Sequence, residues 1–268
     1  MQERHKNKEQ YFQEQSYTTR KYVIPFIQEC CPLNERTRVL EIGCGEGGNL
    51  KPFLDMGCQV TGIELSESKI QLARSFLDHP DYKNRLRLIA ENIYKVHDPT
   101  VKADLIILRD VIEHLPGQEQ FMMHVKLFLY PGGRIFFAFP PWYNPYGGHQ
   151  QVCRSRILSR LPYFHLLPSF LYRFILKVFG ESEGTIQGLM EIKETGLSIE
   201  RFERILKKKH YSIEKRQHYL INPNYEIKFK LKPRKQNRFI AALPFVRDFL
   251  TTSGYYLVSA DKNTSYHK

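Results

Sequence analysis

The sequence has few cysteines and no long uncharged apolar run. Its five cysteines are an odd set without a CxxC pair, which argues against a disulfide framework or a zinc site and fits a reducing compartment. The most apolar stretch, residues 161–179, contains prolines, an arginine and a lysine, whereas a membrane-spanning helix needs roughly 20 nearly uncharged residues. The first ten residues are crowded with charge and lack the apolar core of a secretory signal peptide. We therefore expect a cytoplasmic protein without a metal site.

The composition is that of a globular chain with an uneven charge distribution. Apolar residues make up 42% of the 268 positions and aromatic residues 13%, which excludes collagen-like, coiled-coil and disordered classes. The formal net charge is +12. Residues 1–150 carry 18 basic and 18 acidic side chains, and residues 151–268 carry 22 and 10. The basic excess therefore belongs to the second part, and a uniformly basic nucleic-acid-binding coat is disfavoured.

Short apolar runs alternate with helical patterns between residues 37 and 140. Five runs are apolar at almost every position, as is typical of strands buried on both faces of a parallel sheet: 38–43, 59–64, 86–92, 104–109 and 134–139. Segments 48–56, 66–78 and 118–129 between them have helical spacing. This alternation predicts a Rossmann-like, doubly wound α/β fold with a mostly parallel, seven-stranded sheet.

The alternation stops after strand five, where we predict a helical lid insertion over residues 141–196. Within it, segment 161–179 has the spacing of one or two amphipathic helices. A helix at 198–209 and strands near 211–221, 225–232 and 255–261 would complete the sheet. The predicted organisation is therefore an N-terminal helical segment (1–36), a core (37–140), the lid (141–196) and a closing part of the same domain (197–268).

A glycine loop follows the first predicted strand, in the sequence VLEIGCGEGG of residues 39–48. Glycines suit a tight turn at which a ligand approaches the backbone, although a glycine-rich turn without a ligand is the simpler alternative. Gly43, Gly45 and Gly48 satisfy the GxGxxG pattern, and Glu64 ends the next strand, where a carboxylate accepts ribose hydroxyls. One candidate is therefore an NAD-dependent oxidoreductase.

Two acidic residues favour a different cofactor. Glu41 precedes the first glycine and Glu46 lies inside the loop. Both are unfavourable beside a pyrophosphate but acceptable beside S-adenosylmethionine, which carries a sulfonium and an ammonium group.

Five motifs together resemble the class I S-adenosylmethionine-dependent methyltransferases of the type 11/12-like superfamily. They are Glu41-x-Gly43-x-Gly45-x-Gly47, the segment TGIELS around Glu64, Asn92 after the third strand, DLIILRDVIEHL at 104–115, and LYPGGR at 129–134. Asn92 replaces the usual aspartate but keeps an acceptor oxygen for the adenine amino group. Arg109 is unusual beside a cation-binding pocket, and its side chain is expected to turn away.

The resemblance implies S-adenosylmethionine as cofactor, S-adenosylhomocysteine as product, and a set of cofactor-binding residues. These are Glu41, Gly43, Cys44, Gly45, Gly47, Glu64, Leu65, Asn92, Ile93, Arg109 and Asp110.

Methyl transfer from a sulfonium is a direct displacement that depends mainly on alignment of the acceptor. An oxygen or nitrogen acceptor can also need a base, for which histidine is suited. His149, in the loop after strand five, is either catalytic or substrate-binding, or else it structures the loop. His114, after strand four, is a second catalytic candidate whose alternative role is packing at a helix start.

Three aromatic residues are candidates for substrate binding. Trp142 and Tyr143, in the segment PPWY at 140–143, either line an acceptor pocket or pack the loop. The segment is also similar to the NPPY-type motif of nucleic-acid methyltransferases, but it follows strand five instead of strand four. Tyr17 belongs to a predicted N-terminal helix over the cofactor, where core packing is the alternative.

The basic charge of residues 151–268 indicates the kind of partner that the protein binds. Aromatic and basic residues alternate over 161–179, with further positive charge at 207–209 and 228–238. This pattern fits a small-molecule or lipid-linked acceptor, methylated at oxygen, and peripheral contact with an anionic membrane surface, or else a solvated face. Nucleic acid is disfavoured, a catalytically silent scaffold is a further alternative, and the oligomeric state is left open.

Overall fold

An eight-stranded sheet forms the centre of the part described, residues 7–260, in this computed structural model. The strands are β1 (Arg38–Ile42), β2 (Gln59–Glu64), β3 (Leu86–Ala90), β4 (Ala103–Arg109), β5 (Leu129–Phe139), β6 (Tyr211–Ile221), β7 (Arg234–Lys235) and β8 (Ser253–Ala260). Their order is β3-β2-β1-β4-β5-β8-β6-β7. The first five are mutually parallel, and β8 is antiparallel to both β5 and β6. The doubly wound α/β prediction is confirmed, with eight strands instead of seven because the two-residue β7 extends the edge.

Eleven α-helices accompany the sheet within residues 7–260. They are α1 (Lys8–Thr18), α2 (Ile24–Gln28), α3 (Leu50–Asp55), α4 (Glu67–Phe76), α5 (Gln118–His124), α6 (Ser169–Val178), α7 (Glu183–Thr195), α8 (Ile199–Lys208), α9 (Asn224–Phe229), α10 (Arg238–Ala241) and α11 (Val246–Phe249). A π-helical turn, Thr19–Val23, joins α1 to α2. No helix of these residues is long and apolar enough to cross a membrane.

Two apolar cores flank the sheet and explain why its strands are almost continuously apolar. Neighbouring residues of one strand point to opposite faces, so Leu105 and Phe136 belong to one core while Ile106 and Phe137 belong to the other. All four side chains are almost completely buried. The almost continuous apolar runs therefore correctly predicted that the strands are buried on both faces of the sheet.

One predicted strand is wrong: residues 225–232 contain helix α9 instead. Tyr225, Ile227, Phe229 and Leu231 alternate with polar residues, which is the period of a strand. The backbone at Pro223 is already helical, and the Asn222 side chain accepts a hydrogen bond from the Asn224 amide at 3.0 Å. The segment thus starts as a helical turn, and Tyr225 and Phe229 then pack together, with ring centroids 5.1 Å apart. The predicted strand 255–261 is present as β8, and residue 261 lies outside the described residues.

Helix α1 crosses the glycine loop in close backbone contact. A Cβ placed on Gly48 would lie 2.6 Å from the carbonyl oxygen of Phe12 and 2.8 Å from Cβ of Gln15. Phe12 is buried and packs on Phe76 of α4. The N-terminal helical segment therefore packs over the glycine loop that follows β1.

The segment after β5 forms a lid with its own small core. The core residues are Cys153, Leu158, Phe164, Tyr172, Leu176, Ile186 and Leu189. His165, which is completely buried, bonds through Nε2 to the Trp142 carbonyl oxygen at 2.8 Å, and the Trp142 amide donates to Leu197 O. Helix α7, which the sequence did not predict, packs on α6 inside this lid.

We predict that Gly48→Ala destabilises the protein. The added methyl group would overlap the α1 backbone, which has to shift, and overpacking of this kind costs about 1–3 kcal/mol of unfolding free energy. Urea unfolding followed by circular dichroism measures the change. The control is Gly184→Ala on α7, where the added Cβ meets no atom within 4 Å. This control is expected to stabilise by about 0.5–1 kcal/mol through helix propensity, and equal effects of the two variants would contradict the packing argument.

We predict that His165 makes folding sensitive to acid. Burial, aided by the charge of Lys193, lowers the pKa of His165 to about 4 from its usual 6.5. The unfolded chain therefore takes up the proton more readily, so the stability from neutral His165 is present above pH 6.5 and is lost as the pH falls towards 4. The loss amounts to about 3 kcal/mol at most.

The measurement is the unfolding free energy of the natural protein and of His165→Gln between pH 7 and pH 4. Glutamine can still donate to the Trp142 carbonyl but does not titrate, so the gap between the two proteins should shift in favour of the variant at low pH. The control is His79→Gln, at an exposed side chain. Parallel curves for the natural protein and His165→Gln would refute the prediction.

Candidate functional site

The glycine loop lies at the carboxyl edge of the sheet, where ligands bind in open α/β folds. Gly43, Gly45 and Gly47 have φ values of 75°, 53° and 83°, a region that disfavours other residues. A Cβ on Gly43 would lie 2.6 Å from Cγ2 of Val111, whereas a Cβ on Gly45 would meet no described atom within 4 Å. Gly43 is therefore required by packing, and Gly45 leaves open space beside the backbone.

Glu64, at the end of β2, is joined to this loop. Its carboxylate accepts hydrogen bonds from the backbone amides of Gly45 and Ser66, each at 3.1 Å. Lys69 Nζ lies 3.7 Å from the same carboxylate. Glu64 is buried, while the neighbouring Leu65 is 73% exposed. The arrangement holds an acceptor beside the open space at Gly45.

Asn92 and Ile93 follow β3 at the same edge. The Asn92 side-chain oxygen accepts from the Tyr94 amide at 3.0 Å and starts a short 3₁₀ turn. Asn92 is half-buried and Ile93 is buried.

Glu41 is a buried carboxylate that is only half satisfied. It lies on β1, is 1% exposed, and accepts one hydrogen bond from Asn49 Nδ2 at 2.7 Å. Its other oxygen has no hydrogen-bond partner among residues 7–260. Burial raises the pKa of Glu41 to about 8. Cys44 is equally buried, and burial raises the pKa of its thiol.

Arg109 belongs to the same buried network, with its side chain turned into the protein. Its guanidinium donates to Asn49 Oδ1 at 2.8 Å, to Thr19 Oγ1 at 3.1 Å and to Asn224 Oδ1 at 2.7 Å. The charge of Arg109 acts against the rise in the pKa of Glu41. The network therefore joins the π-helical turn, the glycine loop and α9.

Asp110 and Tyr11 lie inside a cleft. Asp110 has a left-handed φ of 55°, and its side chain is reached by solvent, yet burial raises its pKa. Both observations hold for a group that is open to water but surrounded by protein on most sides. Burial and then the charge of Asp110 raise the pKa of Tyr11 to about 12, so α1 contributes an aromatic wall near Asp110.

The two candidate catalytic histidines are brought together. The rings of His114 and His149 are perpendicular, with centroids 4.9 Å apart. Burial lowers the pKa of His149 to about 4 and also lowers the pKa of His114. Glu113 Oε1 lies 3.7 Å from His114 Nε2. This group stands where β4 and β5 end.

The three aromatic candidates all contact other protein groups. The Trp142 ring packs on His165, with centroids 4.6 Å apart, and the Tyr143 ring stacks on Phe249 at 5.4 Å. The Tyr17 hydroxyl donates to Glu226 at 3.0 Å. Their roles in substrate binding stay predictions, as does the assignment of every site residue.

The sequence-based site omitted three side chains that the fold brings to this edge. Asn49 directly follows the glycines, so its position was a usable signal. Glu113 adjoins His114, but the segment around it was interpreted only as part of a family motif. Tyr11 lies on the same N-terminal helix as Tyr17, and Tyr17 is the residue of that helix that the sequence predicts for substrate binding.

A curated relative matches this chain over less than half of its length. A ubiquinone biosynthesis O-methyltransferase of Rhodopseudomonas palustris is 33% identical over 108 residues, which is 39% of this chain and 40% of that protein. The chain therefore spans less than half the length of such a relative.

Solved structures match the fold over most of the chain. A plantazolicin methyltransferase bound to a triazolic desmethyl-plantazolicin analogue and S-adenosylhomocysteine has a TM-score of 0.54 at 12% identity, covering 95% of this chain and 88% of that one. The [4+2]-cyclase SpnF has a TM-score of 0.53 at 12% identity, with coverages of 89% and 80%.

The family model described as a methyltransferase domain matches residues 13–160, more than half of the chain. This match includes the glycine loop, Glu64, the end of β4 and the start of the lid. The resemblance seen in the five motifs is confirmed, and the chain belongs to the methyltransferase domain family.

Proposed function

We propose that this protein binds S-adenosylmethionine at the glycine loop and transfers its methyl group to an oxygen of a small-molecule or lipid-linked acceptor. The observation that carries the proposal is the pairing of open space at Gly45 with two buried carboxylates, Glu41 and Glu64, at one sheet edge. When bound, the cofactor supplies an electrophilic methyl group on a sulfonium.

The charges of the loop suit this cofactor. The unpartnered oxygen of Glu41, buried at the end of β1, is an acceptor for which the ammonium group is a suitable donor. Burial leaves Glu41 poorly ionised without a ligand, so an ammonium group would favour its charged form, whereas a pyrophosphate would oppose that ionisation. This difference disfavours the NAD-dependent alternative.

Each predicted binding residue has a role in this proposal. The backbone of Gly43, Cys44, Gly45 and Gly47 would contact the cofactor, and Glu64 would accept the ribose hydroxyls. Asn92 would face the adenine amino group, and Leu65 and Ile93 would contact the adenine ring. The backbone at Arg109 and Asp110 would border the methionine end. We assign these roles because the residues follow successive strands at one edge.

Acceptor chemistry at oxygen is supported by the relatives that are ubiquinone biosynthesis O-methyltransferases. His114 and His149 would face the acceptor and could accept its proton, because lowered pKa values leave both imidazoles neutral at pH 7. Tyr17, Trp142 and Tyr143 would border the acceptor from α1 and the lid.

Isothermal titration with S-adenosylmethionine and with NAD tests the cofactor. We predict binding of the first only, and a loss of about 10–100-fold in Glu64→Gln, because hydrogen bonds to a charged acceptor are worth about 1.5–3 kcal/mol. The control Glu67→Gln, at an exposed position in the next helix, should bind as the natural protein does.

Tight NAD binding, or equal affinities in the two glutamate variants, would refute the cofactor assignment. Transfer of labelled methyl to a phenolic hydroxyl, but not to the amine that matches it in shape, checks the acceptor atom.

We further propose that α6 contacts an anionic membrane surface. Its outward stripe combines Phe170, Phe174 and Val178, which are 77%, 62% and 64% exposed, with Arg173 and Lys177. These five positions follow the i, i+3, i+4 spacing of one helix face. Exposed aromatic residues beside basic ones are typical of helices that lie on membranes.

Vesicle co-sedimentation tests this contact. Binding should rise with phosphatidylserine content, and Arg173→Gln combined with Lys177→Gln should lower it about 30-fold, since each basic residue near such a surface is worth about 1 kcal/mol. Phe170→Ser should weaken binding, whereas the control Leu127→Ser, at an exposed leucine after α5, should not. Co-sedimentation that is independent of anionic lipid would refute the proposal.

A further inference from the structure

Three side chains at the ends of β4 and β5 form a candidate metal centre. One ligand atom from each of Glu113, His114 and His149 lies within 4.8 Å of the other two. We propose that these residues bind a divalent transition-metal cation. The inference departs from the expectation of no metal site, which rested on the cysteines.

Glu113 is the first observation that points to a cation. It is 4% exposed, and neither carboxylate oxygen has a hydrogen-bond partner within the described residues. A buried carboxylate without a partner is costly. His114 Nε2 lies 3.7 Å from Glu113 Oε1, too far for a hydrogen bond. A cation between these groups would remove the penalty.

The histidines are the second observation. His149 is held in a left-handed conformation, with φ of 56°, and its ring meets that of His114 edge to face. Imidazole nitrogens are common metal ligands. Two rings from separate loops therefore present imidazole nitrogens beside one buried carboxylate.

The donor set indicates the class of metal. Two imidazole nitrogens and one carboxylate suit Zn²⁺, Fe²⁺ or Mn²⁺ better than Ca²⁺, which prefers six or more oxygens. Three protein ligands leave positions open for an oxygen from outside the protein.

This site deepens the proposed function and rests on it for its role. The cluster stands at the same sheet edge as the glycine loop, close to Asp110. A divalent cation lowers the pKa of a hydroxyl that it binds. The cluster would thus orient an acceptor hydroxyl and favour its ionisation, and with a cation bound this role would replace that of the two histidines as bases.

The test uses the full chain without a histidine tag, stripped with EDTA and dialysed. Calorimetric titration with ZnCl₂, MnCl₂ and CaCl₂ should show one bound Zn²⁺ or Mn²⁺ per chain and weaker Ca²⁺ binding. Glu113→Gln and His149→Asn should each weaken binding by about 100-fold or more, beyond the 10–100-fold that loss of an outer-shell partner costs. Asparagine is chosen because it tolerates the left-handed backbone.

Two controls keep the outcome decisive. His97→Asn, at an exposed turn, should bind the metal as the natural protein does. Circular dichroism shows whether each variant folds, and visible absorption of Co²⁺ in the natural protein reports coordination without any variant. Absence of stoichiometric binding, or unchanged affinity in Glu113→Gln, overturns the proposal.

Failure of the metal site can be separated from failure of the proposed function. S-adenosylmethionine is titrated into the metal-free protein in parallel. Cofactor binding without metal binding overturns only the metal site, whereas absence of cofactor binding overturns the proposed function itself.

Discussion

The cleft depends on one buried charge, the guanidinium of Arg109. Burying a charge costs several kcal/mol unless hydrogen bonds replace its water, and here three neutral acceptors do so: Thr19, Asn49 and Asn224. These acceptors come from the N-terminal turn, the glycine loop and α9, which are far apart in the sequence. The charge is satisfied only when all three segments are in place. Asn49 in turn donates to Glu41, so the same network fixes the carboxylate at the end of β1.

This constraint explains why the site is assembled from distant parts of the chain. The glycine loop and Glu64 come from one βαβ unit, α1 covers them through the close contact at Gly48, and α9 closes the other side. Burial is the main reason that the pKa values of Glu41 and Asp110 are raised, although the charge of Arg109 opposes the rise, and a second positive charge would favour their ionised forms. A cationic cofactor would supply that charge, which is why the electrostatics and the glycine geometry agree on the same ligand.

The sequence predicted the parallel strands well because burial on both faces leaves an unmistakable apolar run. It located Glu64 at a strand end and the glycines in a turn because these are local features, whereas their binding roles stay predictions. It was wrong at residues 225–232, where apolar and polar residues alternate as in a strand but a helical turn begins at Pro223. It also did not single out Glu113, because the lack of a hydrogen-bond partner is visible only in the folded structure. The sequence also could not predict that Trp142 contacts His165, because the two residues are 23 positions apart. The fold alone does not determine the reaction, because a cyclase has the same fold as the methyltransferases.

The uneven charge of the chain separates two parts that carry different features. The neutral first part carries the glycine loop, and the basic second part carries α6, whose exposed aromatic and basic stripe faces outwards. The proposed metal centre lies across a different boundary, that between the core and the lid, because Glu113 and His114 belong to the core whereas His149 belongs to the loop that enters the lid. A cation bound there would cross-link the lid to the core. Lid position and metal occupancy would then be coupled by linkage, since a ligand that binds one arrangement stabilises that arrangement. An acceptor arriving by way of the lid would therefore meet an ordered site only when the lid is seated on the core.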